Sequence, residues 1–328
     1  MQGILEKVRS IFKYAGASLV VVLLILVVII TAFLFRNKAP IISGNIEYGI
    51  TYKNDLKLDL YGPTKNVYDT SPVVFFIHGG AWIGGTKAAL NFNRVNGAVN
   101  TLREKGYTII SPDYSLAAKG KNVFPDCILD VYEAIEWTKK HASHYNLDTT
   151  NLGFLGESAG AHIAMMIAFS DTTLLPEKYK KTKFSYVVDL YGPTDLADIY
   201  RGQTVDMLNA SVNRITKVFG TNFNWKEHAF GFDPSKDSVR ANEMLYNFSP
   251  INILRDNEFP VLILHGKKDR IVPVEQSIRL KLELDTLGVA NEMHLMNGVD
   301  HNLIYSNREQ KDSIQLWISD FVIRYYKK

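Results

Sequence analysis

Hydrophobic and polar positions follow two different periods along the chain, and each period predicts one kind of element. From Ile46 onward, short apolar runs typical of strands are separated by longer stretches with helical spacing. Leu56, Leu58 and Leu60 alternate with polar residues, which predicts a half-buried edge strand. Continuous apolar runs predict strands covered on both faces at 73–77, 107–110, 152–155, 186–190 and 261–264. Strands and helices in alternation predict an α/β fold with a mostly parallel sheet.

Helical spacing fills most of the intervals between these runs. The predicted helices are one that begins near Pro125 and those at 159–169, 271–287 and 310–326; a further strand is predicted at 292–295. The interval 191–254 shows weak helical stretches and no clear strand. Connections within such sheets are usually far shorter, so we expect a cap inserted at about 193–254.

The N-terminal part of the chain has a different pattern. Residues 15–35 carry no charge, and 18 of these 21 positions are apolar. A helix of this length spans roughly 30 Å, the thickness of a bilayer's hydrocarbon core, so we expect a retained transmembrane anchor. A cleaved signal peptide is the alternative, although its apolar region is typically only about 7–15 residues long. The predicted organisation is a basic tail at 1–14, the anchor, a linker at 36–45 and an α/β domain at 46–328.

Charge is divided unevenly between these parts. The whole chain carries +3, but residues 1–43 alone carry five basic residues and one acid, which leaves −1 for the rest. A body of this charge has no basic surface for nucleic acid. Slightly more basic residues precede the apolar run than follow it, so we expect a membrane protein whose body faces outward, on the extracytoplasmic side. With a single cysteine, an intramolecular disulfide framework is excluded.

A candidate nucleophile lies where a predicted strand runs directly into a predicted helix. The sequence at this junction is Gly156-Glu157-Ser158-Ala159-Gly160, a G-x-S-x-G pattern. Small flanking residues allow a sharp turn that lifts the serine hydroxyl out of the sheet, and the helix N-terminus favours a developing negative charge. The pattern alone arises often by chance, so its weight comes from this strand-turn-helix context.

A second glycine pair follows the buried strand predicted at 73–77. The backbone N–H groups of Gly79 and Gly80 could point at a substrate oxygen and, with that of Ala159, form an oxyanion hole. An ordinary glycine turn is the alternative. Trp82, two residues further on, either lines the mouth of the site or packs the loop.

A serine nucleophile needs a base and an orienting carboxylate. His301 lies on the loop after the strand predicted at 292–295, and Asp269 follows the strand predicted at 261–264. Asp300 competes for the carboxylate role, but its adjacency to His301 makes a productive side-chain hydrogen bond awkward. The serine, the aspartate and the histidine then occur in the chain order typical of one hydrolase fold.

From about Leu56 to the C-terminus, the chain resembles the α/β-hydrolase superfamily, in particular the hormone-sensitive-lipase-like and acetylxylan/feruloyl-esterase-like carboxylesterases. The segments that carry the resemblance are Leu58–Pro63, His78–Trp82, Phe124-Pro125, Gly156–Gly160, Tyr191–Asp195 and His265–Pro273. The chain departs from the lipase-like group at Ala81, where that group often has a third glycine.

The resemblance implies an α/β-hydrolase fold, a catalytic triad of Ser158, Asp269 and His301, and an oxyanion hole of Gly79, Gly80 and Ala159. The expected activity is hydrolysis of small or short-chain acyl esters, with acetylated carbohydrates as one substrate class, and without a metal or a cofactor. The expected partners are the ester substrate and, through the anchor, a membrane. Two alternatives stay open: an amidase or aminopeptidase that uses the same triad, and an inactive hydrolase-like binding module at the cell surface.

Overall fold

The computed structural model describes most of the body of the chain. The described residues are 40–92, 94–118, 121, 123–170, 182–202, 205–206, 209–210, 213, 224–256 and 259–327. The predicted anchor at 15–35 lies outside these ranges, as do the basic tail and the first residues of the linker. Among the described residues, no helix combines the length and the apolar character needed to cross a membrane.

Eight strands form one mostly parallel sheet. They are β1 (Ile46–Lys53), β2 (Leu56–Tyr61), β3 (Ser71–Ile77), β4 (Thr108–Pro112), β5 (Leu147–Glu157), β6 (Tyr186–Leu190), β7 (Val261–Gly266) and β8 (Asn291–Met296). Their order across the sheet is β1-β2-β4-β3-β5-β6-β7-β8. Only the pairs β1/β2 and β2/β4 are antiparallel. The predicted α/β fold with its mostly parallel sheet is confirmed.

The described helices connect these strands. They are α1 (Asn96–Glu104), α2 (Asp126–Lys140), α3 (Ala142–Tyr145), α4 (Ala159–Phe169), α5 (Leu196–Arg201), α6 (Trp225–Phe230), α7 (Ser238–Asn247), α8 (Glu275–Thr286) and α9 (Arg308–Arg324). Short 3₁₀ turns lie at Lys87–Phe92, Pro250–Asn252 and His301–Leu303. Helices α5, α6 and α7 belong to the predicted cap interval, whose described residues contain no strand.

The prediction that β2 is a half-buried edge strand was wrong. β1 pairs along its outer side, so β2 lies inside the sheet and its last four residues are buried. Asp59 supplied the polar position that suggested solvent exposure, yet it is buried. Its carboxylate accepts the Gly49 N–H at 2.8 Å and pairs with Lys87 Nζ at 2.8 Å, so a satisfied buried charge produced the alternating pattern.

The two faces of the sheet carry separate apolar clusters. Along β3, Val73, Phe75 and Ile77 point into one cluster, and Val74 and Phe76 point into the other. Residues of α2, α4, α8 and the cap helices complete the first cluster, which we call the cap-side cluster. Residues of α1 and α9 complete the second, which we call the α9-side cluster. The predicted continuous apolar strands therefore have both faces covered.

Helix α1 was not predicted, because one of its buried positions is an arginine. Arg103 is fully buried, and its guanidinium donates to three carbonyl oxygens: those of Gly62 at 2.8 Å, Ile42 at 2.5 Å and Gly44 at 2.6 Å. Asn100 adds bonds to the same segment, since it donates to the Pro40 carbonyl and accepts the Ile42 N–H. These bonds hold residues 40–44 against α1.

Candidate active site

Ser158 lies in a strained turn between β5 and α4. Its backbone has φ 51° and ψ −120°, in the positive-φ region that non-glycine residues rarely adopt. The turn is possible because small residues surround it: a Cβ on Gly160 would lie 2.1 Å from the Ile77 carbonyl oxygen, and one on Gly156 would lie 2.5 Å from Ala161 Cα. Tight packing on both sides therefore holds the serine in this conformation.

The side chains of Ser158, His301 and Asp269 form one hydrogen-bonded line. His301 Nε2 lies 3.0 Å from Ser158 Oγ, and His301 Nδ1 lies 2.7 Å from Asp269 Oδ2. An ionised carboxylate only accepts, so Nδ1 carries the proton and Nε2 of the neutral ring is left as the acceptor for the serine hydroxyl. Sequence positions more than a hundred residues apart are thus brought together at the carboxyl ends of parallel strands.

Asp269 accepts four hydrogen bonds. Its Oδ1 accepts the backbone N–H groups of Ile271 and Val272, both at 2.8 Å, and its Oδ2 contacts the rings of His301 and His265. Burial raises the pKa of Asp269, but the hydrogen bonds from the two histidines, together with their charges, outweigh burial and hold that pKa well below its usual range. The carboxylate therefore stays ionised at neutral pH.

His265 is the site residue whose contribution the sequence analysis missed. The sequence pattern assigned it no role in the site, yet its Nε2 lies 3.2 Å from Asp269 Oδ2 and 2.9 Å from the Val272 carbonyl. A carbonyl only accepts, so Nε2 carries the proton, and Nδ1 can accept from Ser277 Oγ at 2.7 Å. His265 thus contacts the same carboxylate oxygen, Oδ2, as His301 does. Its position four residues before Asp269 on the same strand-to-loop segment was the available signal.

Asp300, the competing carboxylate, has a different partner. Its Oδ2 pairs with the guanidinium of Arg270, with Nε at 2.7 Å, and its Oδ1 accepts the backbone N–H groups of Arg270 and His301. Burial raises the pKa of Asp300, but the bonds from Arg270 and from the His301 backbone lower it overall. Asp300 therefore ties two loops together and does not contact the His301 ring through its carboxylate.

The loop after β3 begins with a buried histidine. The ring of His78 stacks on Tyr114 with 4.2 Å between centroids, and the Tyr114 hydroxyl donates to the His78 carbonyl at 2.8 Å. The next residues turn sharply, with φ 122° at Gly80, 52° at Ala81 and 60° at Trp82. These contacts and torsions fix the course of the loop beside Ser158.

The three predicted oxyanion-hole donors differ in their surroundings. The Gly79 N–H donates to Glu157 Oε1 at 3.3 Å, so this predicted donor already has a side-chain acceptor, and its role in an oxyanion hole stays a prediction. A side chain from the serine turn reaches back to this loop, which the sequence pattern did not indicate. Within the described part of the chain, the N–H groups of Gly80 and Ala159 have no protein acceptor, and neither does that of Ala81.

Tyr191 connects this loop to the histidine. Its hydroxyl donates to Glu157 Oε2 at 3.1 Å, and its ring lies edge-on to the His301 ring with 4.9 Å between centroids. Its backbone is in the positive-φ region at 46°. Burial and the neighbouring Glu157 carboxylate raise the pKa of Tyr191 well above its usual value, so the hydroxyl stays protonated and keeps donating.

An aromatic pocket lies next to the serine turn, on the cap side. Trp82 is 3% exposed and packs edge-on against Phe124 and His162, and its ring centroid is 6.1 Å from that of Trp225 on α6. The pocket is lined by Trp82, Phe124, Leu196, Trp225, Ala229, Phe230, Met244 and Leu245. Trp82 therefore packs the loop and also lines this pocket, and its place at the mouth of the active site stays a prediction.

The sheet order, the strand-turn-helix serine and the late histidine loop define the α/β-hydrolase fold. Residues 58–284, more than half of the chain, match the model of the BD-FAE family. The chain belongs to the BD-FAE family. The resemblance seen in the sequence to α/β-hydrolase carboxylesterases is thereby confirmed.

Individual relatives have names that refer to ester hydrolysis. A probable carboxylic ester hydrolase of Mycobacterium tuberculosis, LipM, is 28% identical over 72% of this chain and 50% of its own length. A probable isoprenylcysteine alpha-carbonyl methylesterase of Arabidopsis thaliana is 25% identical over 87% of this chain and 56% of its own length. The chain thus spans about half the length of the relatives it matches.

Solved structures share the fold. A truncated form of a carbohydrate esterase from gut microbiota has a TM-score of 0.65 at 20% identity and covers 88% of this chain and 100% of its own. Esterase B of Lactobacillus rhamnosis has a TM-score of 0.66 at 16% identity and covers 94% and 96% of the two chains. At these identities the likeness concerns the fold.

Proposed function

We propose that this protein is a serine carboxylic-ester hydrolase that acts through an acyl-enzyme intermediate. The observation that carries the proposal is the line from Ser158 Oγ to His301 Nε2 and from His301 Nδ1 to Asp269 Oδ2. A hydroxyl, an imidazole and a buried carboxylate in this arrangement are the parts that nucleophilic acyl transfer requires. Membership of the BD-FAE family and the ester-hydrolase names of the relatives support the same activity.

In the first half of the reaction, Ser158 Oγ attacks the carbonyl carbon of the ester and His301 Nε2 takes the hydroxyl proton. Asp269 holds the ring in the Nδ1–H tautomer and stabilises the imidazolium that forms. His301 then gives the proton to the leaving alcohol oxygen, and the acyl group stays on the serine. In the second half, water attacks the acyl-enzyme while His301 again takes and returns the proton.

The negative charge that develops on the substrate oxygen needs donors that have no other partner. The N–H groups of Gly80 and Ala159 meet this requirement, and the α4 N-terminus at Ala159 adds a favourable dipole. Ala81 takes the place that the sequence assigned to Gly79, since the Gly79 N–H is bonded to Glu157. Each such donor contributes about 3–4 kcal/mol to the transition state in a water-excluded site.

We further propose that the acyl part of the substrate is small. The pocket beside Trp82 is closed by aromatic and aliphatic side chains from three cap helices, which leaves little room for a long chain. Acetylated carbohydrates remain a candidate class on this ground, with the sugar as the alcohol part.

The decisive experiment replaces Ser158 with alanine. We expect Ser158→Ala to lower kcat for methyl and p-nitrophenyl esters of two to seven carbons by on the order of 10⁶-fold. Ser185→Ala is the matched control: Ser185 is also buried, but it lies at the opposite end of β6, and its loss should leave turnover unchanged. A fluorophosphonate probe should label the unaltered protein and the control, but not Ser158→Ala. An intact, folded protein that hydrolyses no ester and stays unlabelled would favour the binding module.

A further inference from the structure

Three buried polar atoms at or beside the aromatic pocket have no hydrogen-bond partner within the described part of the chain. They are Nε1 of Trp82, Nε1 of Trp225 and Nδ1 of His162, and the three residues are 3%, 4% and 0% exposed. The rings of His162 and Trp225 lie 5.0 Å and 6.1 Å from the Trp82 ring. Both tryptophans line the pocket, and His162 packs against its wall.

Such atoms are costly to leave unpaired. A buried donor or acceptor without a partner costs about 1–3 kcal/mol, and native proteins pair most of them. A packing role would be served as well by phenylalanine at either tryptophan position, because phenylalanine has no polar atom to bury. The concentration of three unpaired atoms at one pocket therefore points to a ligand that pairs them.

The donor and acceptor types define the chemistry of that ligand. Each indole Nε1–H is a donor only. His162 Nε2 lies 2.7 Å from the Phe248 carbonyl, which only accepts, so Nε2 carries the proton of the neutral ring and Nδ1 is an acceptor. Burial lowers the pKa of His162 to about 4, so the ring is neutral at pH 7. A hydroxyl group is the simplest partner, because it accepts from an indole and donates to an imidazole nitrogen.

The position of the pocket decides which part of an ester would enter it. His301 must protonate the leaving alcohol, and its ring packs against Tyr191, which belongs to the α9-side cluster. The pocket residues Trp82, Phe124 and Trp225 belong to the cap-side cluster, on the other face of the sheet. The alcohol part therefore leaves on the His301 side, and the acyl part extends toward the pocket.

The distance from the serine is short. His162 lies one helical turn after Ser158, and its backbone N–H donates to the Ser158 carbonyl at 3.1 Å. One turn of helix is about 5.4 Å long, so we infer that a short acyl chain on Ser158 extends toward the pocket wall against which His162 packs.

We propose that the pocket binds a short acyl group that carries a hydroxyl, and that Trp82, Trp225 and His162 are the residues that recognise it. The proposal rests on the proposed function, since it names the substrate class of the same site. Trp82 and Trp225 donate to the hydroxyl oxygen, and the hydroxyl proton is donated to His162 Nδ1.

The test compares esters that differ only at the recognised group. Methyl 6-hydroxyhexanoate and methyl heptanoate have a hydroxyl and a methyl at the same position, and methyl 3-hydroxybutanoate and methyl 3-methylbutanoate form a shorter pair. Hydrolysis by the unaltered full-length protein is followed by titration of the released acid. We expect kcat/KM to favour the hydroxy ester by about tenfold or more in at least one pair, because the analogue leaves the polar atoms unpaired. Methyl 6-methoxyhexanoate accepts but cannot donate, so its kcat/KM should lie between those of the longer pair.

Two variants then assign the preference to the indoles. Trp82→Phe and Trp225→Phe keep an aromatic ring and remove the N–H, so each should reduce the hydroxy-to-methyl ratio several-fold. Trp137→Phe is the matched control, because Trp137 of α2 stacks on His141, outside the pocket, and its loss should leave the ratio unchanged. The ester pairs are compared on the unaltered protein, so the test does not depend on the variants folding.

The outcomes separate the two proposals. If esters are hydrolysed but the methyl analogue is preferred at both lengths, this inference is overturned and the proposed function stands. If the hydroxy ester is preferred but neither Trp→Phe variant lowers the ratio, the assignment to this pocket is overturned. If the methoxy ester equals the hydroxy ester, the role of His162 as acceptor is overturned. If no ester is hydrolysed, both proposals fall.

Discussion

The two flanks of Ser158 differ in how their buried polar atoms are paired. In the triad network, Asp269 accepts four hydrogen bonds, and His265 and His301 each have partners at both ring nitrogens. Around the aromatic pocket, His162, Trp82 and Trp225 each leave one buried polar atom without a partner among the described residues. The same nucleophile thus lies between a completed polar network and an incomplete one.

The difference indicates on which flank the hydrogen-bond network is already complete before a substrate binds. A fully paired network is rigid, and it can hold an imidazole in one orientation and tautomer without help from a ligand. An incomplete network gains the most when a complementary group enters, which makes it suitable for selecting substrates. Changes on the two flanks should therefore affect different measurements.

The largest effect is expected on the paired flank. Asp269→Asn keeps the shape of the side chain but replaces an acceptor with a donor, so His301 is held in the wrong tautomer. We expect kcat for a short acyl ester to fall by about 10⁴-fold while KM changes little, as measured by initial rates at neutral pH.

Asp300→Asn is the control for this change. Its carboxylate pairs with Arg270 and does not contact the His301 ring, so we expect kcat to fall by less than about tenfold. The reverse order of effects would mean that the sequence competitor, and not Asp269, orients the histidine.

On the unpaired flank, the largest expected effect is on the pH dependence of the free energy of unfolding. The pKa of His162 falls from 6.5 to about 4 on burial, so between these values the unfolded chain binds a proton that the folded chain does not. The stabilising effect of the neutral His162 ring is therefore complete above pH 6.5. As the pH falls toward 4, this effect is lost and the free energy of unfolding decreases by about 3 kcal/mol. Urea denaturation of the unaltered protein and of His162→Gln at pH 7, 5.5 and 4 measures it.

The comparison with His162→Gln is needed because Asp189 acts in the opposite sense. Burial raises the pKa of Asp189 to about 7, so its carboxyl favours the folded state at low pH. The difference in unfolding free energy between the two proteins should narrow or reverse as the pH falls. A constant difference from pH 7 to pH 4 would show that His162 does not titrate in this way. The Asp269 contribution, by contrast, is lost only below about pH 4.

The smallest effect is expected for Tyr191, whose side chain contacts both Glu157 and the His301 ring. Tyr191→Phe keeps the ring against His301 and removes the hydroxyl that donates to Glu157, which in turn accepts the Gly79 N–H. We expect kcat to fall about fivefold with little change in KM, and the unfolding free energy to fall by about 1 kcal/mol. Tyr132→Phe deletes a similar buried hydroxyl that donates to the Ile167 carbonyl, away from the site. Tyr132→Phe should lower the free energy of unfolding by a similar amount and leave kcat unchanged. Equal losses of kcat in both variants would refute the role of the Tyr191 hydroxyl in catalysis.

Local patterns predicted the central strands and the positions of the chemical groups. The continuous apolar runs at β3, β5 and β7 indicated covered strands, and the serine, aspartate and histidine each lie directly after a predicted strand. These features depend on residues that are neighbours in the sequence, so they could be predicted from the sequence alone. The structure brings the three side chains within hydrogen-bond distance, and their catalytic roles stay a prediction.

What the patterns missed depends on contacts between distant segments. Asp59 looked exposed because its partners Gly49 and Lys87 lie outside its own strand. The Gly79 N–H looked available because the Glu157 side chain reaches it from another loop. The sequence did not show which residues meet in the pocket either, because Trp225 comes from a helix more than a hundred residues after Trp82.

The bonds that hold residues 40–44 on α1 have a mechanical consequence. Whatever precedes Pro40 joins the body at a point fixed by Arg103 and Asn100 rather than through the free end of β1. A pull on the chain at this point is therefore transmitted first to α1, whose apolar residues Val99 and Leu102 pack in the α9-side cluster. The aromatic pocket lies on the other face of the sheet, away from these contacts.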